Sequence, residues 1–345
     1  MHYTEYCMDK HASICEAMKR LDVLVPKILF ITEENRLLGS LTDGDIRRFL
    51  LHKGRIEDAA EQAANHAPCY ARSKRDAAKL YQKNHFLAIP IVKEDMTIQA
   101  IYICDETDGF PAAQLDVPVV INAGGRGTRL EPYTKVLPKP LIPVGELPIM
   151  EHIMQSYRRY GCEKFHVIVN YKKQLLKAYF AESESRYNIT WYDEETPLGT
   201  GGGLSLLKGR LHQTFFFTNC DILLRSDYED MLRFHRKSGN AVTMVCAYKN
   251  LTIPYGVIEI GDNGWIEAMR EKPELSFLTN TGMYIVEPEV LEDMNDGESI
   301  GFPDVIERQI QKGRTVAAYP VSGNEWLDMG QLSELEKMRK QLSEE

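Results

Sequence analysis

A run of glycines directly after an apolar segment constrains the fold of this chain more than any other feature. Residues 117–122 are mostly apolar and predict a buried strand, and they are followed by Ala123-Gly124-Gly125-Arg126-Gly127-Thr128-Arg129-Leu130. Three glycines in four positions let the backbone turn sharply and point several N–H groups into one concavity. Such a concavity suits phosphate oxygens, so the segment predicts a phosphate-binding turn at the end of a strand.

Two common phosphate loops do not fit this segment. A P-loop ends in Gly-Lys followed by Ser or Thr, whereas this turn ends in Arg129-Leu130. A dinucleotide fingerprint would need a third glycine where Leu130 stands. The next predicted strand ends at Asn170 and not at an acid that could bind a ribose. A glycine turn without a ligand remains the alternative.

Predicted strands and helices alternate in the rest of this region. We predict strands at 117–122, 164–170, 189–193 and 214–218, a helix at 148–160, and a helix that Ser226 and Glu229 open as a capping box and that runs through Phe234. This alternation predicts an α/β fold with a mostly parallel sheet and helices on both faces. Ligands then bind at the carboxyl ends of the strands.

Roughly the first 105 residues contain a weak internal repeat. An amphipathic helix with Ile14, Ala17, Met18 and Leu21 on one face precedes predicted strands at 27–32 and 37–41 and a helix that begins at Thr42-Asp43-Gly44-Asp45 and runs to Gly54. The two strands return 61 residues later, at 86–92 and 97–104. Each half is too small to bury its apolar face alone, so we expect the halves to pack as a pair. Residues 106–116 mix turn formers with small residues and predict a linker.

Composition excludes several classes of function. The chain has 41 Lys+Arg against 50 Asp+Glu, a formal net charge of −9, which argues against a broad basic nucleic-acid interface. No stretch approaches the roughly 20 apolar residues of a membrane helix, and the first residues lack a signal-peptide pattern. The seven cysteines are scattered and predict reduced thiols rather than disulfides or a zinc site. We therefore expect a cytoplasmic protein without a membrane or nucleic-acid partner.

The glycine turn continues into a longer motif. Through Pro140 the run reads G-G-x-G-T-R-L-x-P-x-T-x-x-x-P-K-P, which closely resembles the opening signature of the sugar-1-phosphate nucleotidyltransferases. The resemblance covers roughly residues 117–340. It implies a Rossmann-like nucleotidyltransferase domain with a mostly parallel mixed sheet at 117–345, where an NTP and a sugar 1-phosphate give an NDP-sugar and pyrophosphate. It also implies nucleotide contacts from Ala123, Gly124, Gly125, Gly127 and Thr128.

Charge explains the two cations of this motif. Both substrates are polyanions, so the site must neutralise charge and align them. By resemblance Arg129 contacts the triphosphate, and Lys139, which stands between two φ-fixing prolines, lies near the α-phosphate. We predict both as catalytic residues; an ordinary surface cation is the alternative for each.

Two aspartates match the metal positions of the family. Asp221 closely follows the predicted strand at 214–218, and Asp328 lies in Trp326-Leu327-Asp328-Met329-Gly330, which resembles the family's W-x-D-x-G motif. Mg²⁺ retains several waters in proteins, so one or two carboxylates are enough to bind it. We predict that Asp221 and Asp328 hold Mg²⁺; a helix cap or a loop turn is the alternative. Cys220 departs from the glycine that the family often has there.

Further segments resemble the sugar site of the family. They are Tyr255-Gly256-Val257-Ile258, Arg270-Glu271-Lys272-Pro273 and Asn280-Thr281-Gly282-Met283-Tyr284. The resemblance implies that Gly256 and Lys272 bind the sugar phosphate and that Glu271 and Asn280 contact sugar hydroxyls. Ordinary surface positions are the alternative. Glucosamine 1-phosphate is one candidate acceptor.

A segment at 194–201 resembles the base loop of the family, with Gly199 retained and Gly201 in place of alanine. By position Glu194 reads the base edge. A carboxylate can accept from both N1–H and the exocyclic amine of guanine, whereas thymine and uracil offer only one such donor. We therefore predict GTP as the nucleotide. The alternatives are dTTP, UTP or CTP for the nucleotide, and a solvated acid for Glu194.

The N-terminal repeat resembles a second family. Leu38-Gly39-Ser40-Leu41-Thr42-Asp43-Gly44-Asp45 is similar to the signature of a cystathionine-β-synthase-type (CBS) domain, so we predict a smaller α+β tandem CBS (Bateman-type) regulatory module at 1–110. The family implies an adenine nucleotide whose ribose contacts Thr42 and Asp45. The second copy has Ala100, Ile103 and Glu106 in place of the Gly, Thr and Asp, so at most one site is intact. A module that only packs or dimerises is the alternative.

The two resemblances together suggest a biological role. The combination resembles guanylyltransferases fused to CBS domains in bacterial nonulosonate-type glycan pathways, so we expect a homo-oligomer that makes a nucleotide sugar for surface glycans. A non-catalytic nucleotide sensor is the alternative from a different class. The presence of two cations and two metal-type acids, Arg129, Lys139, Asp221 and Asp328, argues against it, because binding alone does not need both acids.

Overall fold

A computed structural model of the chain describes residues 3–77, 80, 88–103, 115–181 and 187–343. The chain forms two compact units, Met1–Pro111 and Ala112–Glu345. Within the described ranges, no helix has both the length and the apolar character that crossing a membrane requires.

The described part of the N-terminal unit contains two small sheets, with helices packed beside them. Its strands are β1 (Cys7–Asp9), β2 (Ile28–Glu33), β3 (Arg36–Thr42), β4 (Ala88–Val92) and β5 (Ile98–Ile103), and its helices are α1 (Ile14–Leu21) and α2 (Asp43–Leu51). β2 pairs with β1 in parallel and with β3 antiparallel, and β4 forms an antiparallel hairpin with β5. Both strand pairs expected from the repeat are therefore present. Residues 86, 87 and 104 of the predicted second pair, Glu106 and linker residues 106–114 lie outside the described residues.

The two hairpins of this unit are joined at their turns. The Leu37 N–H donates to the Met96 carbonyl at 3.0 Å, and the Ile98 N–H donates to the Asn35 carbonyl at 3.0 Å. These reciprocal bonds relate equivalent positions of the two halves, as a packed internal repeat requires. The resemblance to a CBS module stays a prediction.

The C-terminal unit is built on one large sheet. Its strands are β6 (Val119–Ala123), β7 (Pro143–Val144), β8 (Leu147–Pro148), β9 (Lys164–Val169), β10 (Asn188–Asp193), β11 (Phe215–Asn219), β12 (Ile222–Leu224), β13 (Val242–Thr252), β14 (Val257–Ile260), β15 (Ile266–Arg270), β16 (Glu274–Val286), β17 (Val316–Val321) and β18 (Trp326–Asp328). The seven-stranded sheet has the order β10-β9-β6-β11-β16-β13-β17. β10, β9, β6 and β11 run parallel, β16 runs antiparallel to both β11 and β13, and β17 is parallel to β13. The mostly parallel mixed sheet is confirmed.

Helices cover both faces of this sheet. The helices of the unit are α3 (Tyr133–Val136), α4 (Ile149–Arg158), α5 (Lys173–Ala181), α6 (Tyr228–Ser238), α7 (Glu289–Glu292), α8 (Phe302–Gln311) and α9 (Leu332–Ser343). Val119 and Ile121 of β6 share a buried cluster with Ile153 of α4, whereas Val120 lies in a second cluster with Phe302 of α8. Since successive side chains of a strand point to opposite faces, the two clusters are the two sides of the sheet.

The start of α6 corrects one prediction. The cap is Asp227, whose carboxylate accepts from the Asp230 N–H at 3.0 Å, so the expected Ser226–Glu229 capping box is wrong. Asp and Ser cap helices about equally well, and here the adjacent residue Asp227 is the N-cap. The Ser226 carbonyl instead accepts from the Tyr160 hydroxyl at 3.3 Å.

Candidate active site

Four parallel strands end at one edge of the large sheet. β6 leads into Gly124, β9 into Asn170, β10 into Glu194, and β11 is followed by Asp221. Because carboxyl ends of neighbouring parallel strands lie side by side, these segments meet at the same edge. Segments predicted to bind phosphate, base and metal are therefore neighbours.

The glycine turn after β6 has a conformation that restricts its side chains. Gly127 has φ +65°, and a Cβ there would lie 2.9 Å from a methyl carbon of Thr134. The Thr134 hydroxyl donates to the Gly127 carbonyl at 3.0 Å and fixes the turn. A Cβ at Gly125, in contrast, would meet nothing within 4 Å. Packing within the described residues therefore explains why residue 127 is glycine, but it does not explain why residue 125 is. A ligand that approaches the backbone closely would explain the glycine at 125.

Glu194 lies beneath this turn and is buried, with 4% of its surface exposed. A Cβ at Gly124 would lie 2.7 Å from its Oε2, and a Cβ at Gly203 would lie 2.6 Å from its Oε1. Burial raises the Glu194 pKa to about 7, against a hydrogen bond from the Leu198 N–H that lowers it. Its Oε1 is buried without a hydrogen-bond partner among the described residues. The alternative of a solvated acid is therefore wrong: the carboxylate is enclosed by two glycines.

The predicted catalytic lysine contacts a predicted metal ligand. Lys139 forms an ion pair with Asp221 through Nζ and Oδ2, and both side chains are largely buried. Arg129 is exposed at the end of the glycine turn, and its charge favours the ionised form of Asp328. The structure therefore brings Arg129, Lys139, Asp221 and Asp328 into one electrostatic group.

A short ladder brings the two aspartates together from distant parts of the chain. β12 and β18 pair antiparallel with Ile222 opposite Asp328, and the Met329 N–H donates to the Asp221 carbonyl at 2.8 Å. Burial, followed by the charge of Asp221, raises the pKa of Asp328, while Lys139 opposes the shift. A carboxylate whose charge is disfavoured by burial and by a neighbouring acid suits a cation beside it. Among the described residues, no group of three or more His, Cys, Asp and Glu side chains forms a metal site.

Two asparagines for which the sequence motifs predict no role connect the strand ends. The Asn122 amide of β6 donates to the Thr200 carbonyl at 3.2 Å, and the Asn170 amide donates to the Glu194 carbonyl at 3.0 Å. Asn122 is the penultimate residue of β6 and Asn170 directly follows β9, and this position at the carboxyl end of a buried parallel strand is the signal that could have identified them.

The predicted sugar residues flank the β14–β15 hairpin or lie on β16: Gly256 directly precedes β14, Glu271 and Lys272 directly follow β15, and Asn280 is on β16. Gly256 and Glu271 are close, since a Cβ at Gly256 would lie 3.0 Å from the Glu271 Oε2. Lys272 is exposed and has φ +46°. The Asn280 amide donates to the Tyr284 hydroxyl at 2.7 Å and accepts from the Gly282 N–H at 2.9 Å. Within the part of the chain that the structure describes, no hydrogen bond or ion pair is seen that joins these residues to the aspartate pair.

Thr42 and Asp45 form a capping box at the start of α2 in the N-terminal unit. The Thr42 hydroxyl donates to Asp45 Oδ2 at 2.6 Å and accepts from the Asp45 N–H at 3.3 Å. Arg48 pairs with the other carboxylate oxygen. The predicted ribose would have to share acceptors that already cap the helix.

A sequence model of the family described as "Nucleotidyl transferase" matches residues 118–345. Mannose-1-phosphate guanyltransferase beta-A of Xenopus laevis is 32% identical over 220 residues, which cover 61% of each chain. The UTP–glucose-1-phosphate uridylyltransferase of Synechocystis sp. is 30% identical over 235 residues, which cover 62% of this chain and 60% of the relative. The chain thus spans about three fifths of the length of these relatives.

Solved structures share the fold at low sequence identity. The crystal structure of HddC from Yersinia pseudotuberculosis superposes with a TM-score of 0.53 at 20% identity and covers 66% of this chain and 99% of that chain. A structure of the same protein complexed with GMP-PN gives a TM-score of 0.52. This likeness is one of fold.

Proposed function

Because the chain belongs to the nucleotidyl transferase family, we propose that it transfers a nucleotidyl group from a nucleoside triphosphate to a sugar 1-phosphate. The observation that carries this proposal is the convergence of Lys139, Asp221 and Asp328 beside the glycine turn. A nucleotide sensor would need phosphate contacts, but it would not need two acids held together next to a buried cation. That difference favours the enzyme over the non-catalytic alternative.

The chemistry follows from where the cations lie. An oxygen of the sugar 1-phosphate attacks the α-phosphorus of the NTP, a new P–O bond forms, and the bond to the bridging oxygen breaks as pyrophosphate leaves. Lys139, held in the site by Asp221, would neutralise the α-phosphate as the two anions approach. The exposed Arg129 would bind the triphosphate and stabilise the charge of the leaving pyrophosphate. Ala123, Gly124, Gly125, Gly127 and Thr128 would line the triphosphate with backbone N–H groups.

Asp221 and Asp328 are the residues that would hold Mg²⁺. They fit the ion because both are carboxylates, both are partly buried, and the ladder between β12 and β18 brings them together. When bound, a magnesium ion supplies positive charge that offsets the charges of the reacting phosphates. In the structure Asp221 pairs with Lys139, so a bound ion would compete with the lysine for this carboxylate, and Lys139 would serve the substrate phosphates.

Glu194 is the proposed base reader, and guanine is the proposed base. Its buried Oε1 without a described partner is an acceptor that the N1–H or the amine of guanine would satisfy. The similarity to mannose-1-phosphate guanyltransferases supports GTP, and the similarity to a uridylyltransferase keeps UTP as the alternative, together with dTTP and CTP. Gly199 would let the base approach the backbone.

The acceptor and the pathway rest on resemblance. Gly256 and Lys272 would bind the sugar phosphate, and Glu271 and Asn280 would contact hydroxyls of a sugar such as glucosamine 1-phosphate. The nucleotide sugar would serve surface glycan synthesis. Residues 1–110 would act as a tandem CBS module that binds an adenine nucleotide through Thr42 and Asp45, in a homo-oligomer.

A substrate panel tests the proposal directly. The full chain with Mg²⁺ is incubated with each NTP and with glucosamine, glucose or mannose 1-phosphate, and products are identified by mass. We expect a GDP-sugar and one pyrophosphate per product. Turnover only with dTTP would reject the guanine assignment and keep the enzyme class. Tight NTP binding without turnover of any sugar phosphate would favour the nucleotide sensor.

A further inference from the structure

A turn far from the glycine turn in sequence packs directly against residues 198–203. These residues, the base loop, overlap the end of the 194–201 segment that is proposed to bind the base. Residues 298–302, the buttress turn, lead into helix α8, which begins at Phe302. The Ile300 N–H donates to the Leu198 carbonyl at 3.0 Å, and the Ile300 carbonyl accepts from the N–H groups of Gly201 and Gly202 at 3.0 and 3.2 Å. The Phe302 N–H donates to the Thr200 hydroxyl oxygen at 3.0 Å. Four hydrogen bonds therefore join the two segments.

The glycines of the base loop are required by this contact. A Cβ at Gly202 would lie 2.1 Å from the Glu298 carbonyl oxygen, and one at Gly199 would lie 2.6 Å from the Ile300 carbonyl oxygen. Both obstacles are backbone atoms, which cannot rotate away as a flexible side chain can. A side chain at Gly199 or Gly202 would therefore push the base loop away from the buttress turn.

Glu298 and Arg308 fix the buttress turn to α8. Arg308 donates from its two terminal nitrogens to the two Glu298 carboxylate oxygens at 2.8 and 2.5 Å. Asn295 donates to the same carboxylate at 3.0 Å. These hydrogen bonds, with that from Arg308 as the largest cause, lower the pKa of Glu298 to about 2. A two-pronged guanidinium–carboxylate pair fixes orientation as well as distance.

The base loop connects the buttress turn to Glu194, because it contacts both. The Leu198 N–H bonds to the Glu194 carboxylate, and Gly203 leaves the space that Glu194 Oε1 occupies. On the other side, the Asn122 amide of β6 donates to the Thr200 carbonyl. The loop is thus held between the glycine-turn strand and the buttress turn. A shift of the turn would move the acceptor that faces the base.

We propose that Glu298 and Arg308 are positioning residues for nucleotide selection, which act through the base loop without contacting substrate. The inference rests on the proposed function, since it assigns the base to this loop. Loosening the turn leaves the phosphates and metal acids in place but lets Glu194 and the loop sample other positions. Nucleotide binding and base discrimination should weaken, while binding of the sugar phosphate should not.

The test compares Glu298→Ala with Asp293→Asn, a matched control on the other anchor of α8. Asp293 pairs with Lys312 at 2.7 Å and Arg314 at 2.6 Å but does not contact the base loop in the described structure. For Glu298→Ala we expect the NTP KM to rise about tenfold and the preference among NTPs to shrink, with kcat and the sugar-phosphate KM within about twofold. Asp293→Asn should lower the melting temperature without changing the NTP KM. Glu298→Gln should restore most of the affinity, since its amide oxygen still accepts from Arg308.

Equal NTP KM changes in Glu298→Ala and Asp293→Asn, or a loss of kcat with unchanged NTP KM, would overturn the inference. If Glu298→Ala does not fold, Thr200→Ala and Thr200→Ser replace it, because only the serine keeps the acceptor for Phe302. If the wild-type chain turns over no sugar phosphate, the proposed function fails. Calorimetric Kd values for GTP and UTP with the same variants then decide the role of the turn separately.

Discussion

At the residue scale, Glu194 shows how enclosure changes the chemistry of one side chain. Its carboxylate lies between Gly124 and Gly203 with one oxygen lacking a partner in the described structure, and burial raises its pKa to about 7. An ordinary glutamate is ionised throughout the neutral range, whereas this one changes charge within it. Its capacity to accept two hydrogen bonds from guanine therefore depends on pH.

The first prediction concerns the pH dependence of GTP use. The folded-state pKa is raised, so Glu194 is protonated below about 7 and ionised above it. Since guanine needs the ionised form, kcat/KM for GTP should rise between pH 6 and pH 8 and then level off. The protonated form can donate to a uracil carbonyl, so the UTP-to-GTP ratio should be larger at pH 6. Initial rates across this range measure both quantities.

Glu194→Gln is the control, because its amide does not titrate. Its kcat/KM for GTP should be low and should not rise between pH 6 and pH 8. If Glu194→Gln kept the pH profile of the wild type, a group other than Glu194 would cause the pH dependence.

The second prediction concerns Lys139. Replacement by alanine removes the buried cation that pairs with Asp221 and should lower kcat by roughly 10²–10³-fold, on the scale of one preorganised charge donor. Lys135 is the matched control, since it lies in the same segment but is exposed and pairs only with Glu131 in the described structure, at 3.2 Å. Lys135→Ala should keep kcat within about twofold. Similar losses in both variants would contradict the assigned role.

At the element scale, the sheet holds a buried polar network at the edge opposite the glycine turn. His235 of α6 contacts Thr243 Oγ1 at 2.8 Å and Glu287 Oε1 at 3.0 Å, and Thr214, just before β11, donates to the same Glu287 oxygen at 2.7 Å. The hydrogen bond from His235 holds the pKa of Glu287 below its usual value. The network connects α6 and β13 with the end of β16 and the start of β11, at the sheet edge away from the site.

The third prediction follows from this network. His235→Ala should lower the free energy of unfolding by about 2–4 kcal/mol, because it leaves a cavity and buried polar groups without partners. The NTP and sugar-phosphate KM should not change. Arg233→Ala on the exposed face of α6 should cost at most about 0.5–1 kcal/mol. Denaturant unfolding measures both, and equal costs would contradict a stabilising network.

The elements that could be predicted from sequence are those with clear burial patterns. β6, β9, β10 and β11 are apolar runs followed by polar residues, and their positions were predicted within one or two residues. The strands β13 to β16 were not predicted. The outer halves of β13 and β16 are exposed at most positions, so they lack the alternation that marks a half-buried strand.

The helix at Tyr228 illustrates a different limit. Ser226 and Asp227 are adjacent residues that both cap helices well, and local sequence does not decide between them. The Tyr160 hydroxyl bonds to the Ser226 carbonyl, which is a tertiary contact that no local pattern contains.

At the scale of the whole molecule, the site combines segments that are far apart in the chain. The Asp221–Asp328 pair was expected from two family motifs, and the β12–β18 ladder supplies the physical reason for their proximity. The buttress turn was not expected, because its contacts with the base loop are mostly backbone hydrogen bonds. Backbone hydrogen bonds leave no side-chain pattern in the sequence. The glycines of the base loop are the one trace of this contact, and glycines also occur for other reasons, such as a turn or a nearby ligand.

The fourth prediction concerns the N-terminal unit. If it binds an adenine nucleotide through Thr42 and Asp45, AMP or ATP should change the rate of the full chain, and Asp45→Ala should abolish the response. Asp76 is the matched control: it accepts from the Ser73 hydroxyl at 2.6 Å in a similar cap within the second half. Asp76→Ala should keep the response. An unchanged wild-type rate with both nucleotides would make the unit structural only.

The central claim is that Asp221 and Asp328 act as one unit on a single phosphate group, and a double-mutant cycle measures this most directly. The kcat of Asp221→Asn, of Asp328→Asn and of the double variant is determined with the preferred NTP and saturating Mg²⁺. We predict that each single variant loses at least about 10²-fold and that the double variant loses little more, because groups acting together are strongly non-additive. A near-wild-type rate for either single variant, or losses that multiply in the double variant, would contradict the account.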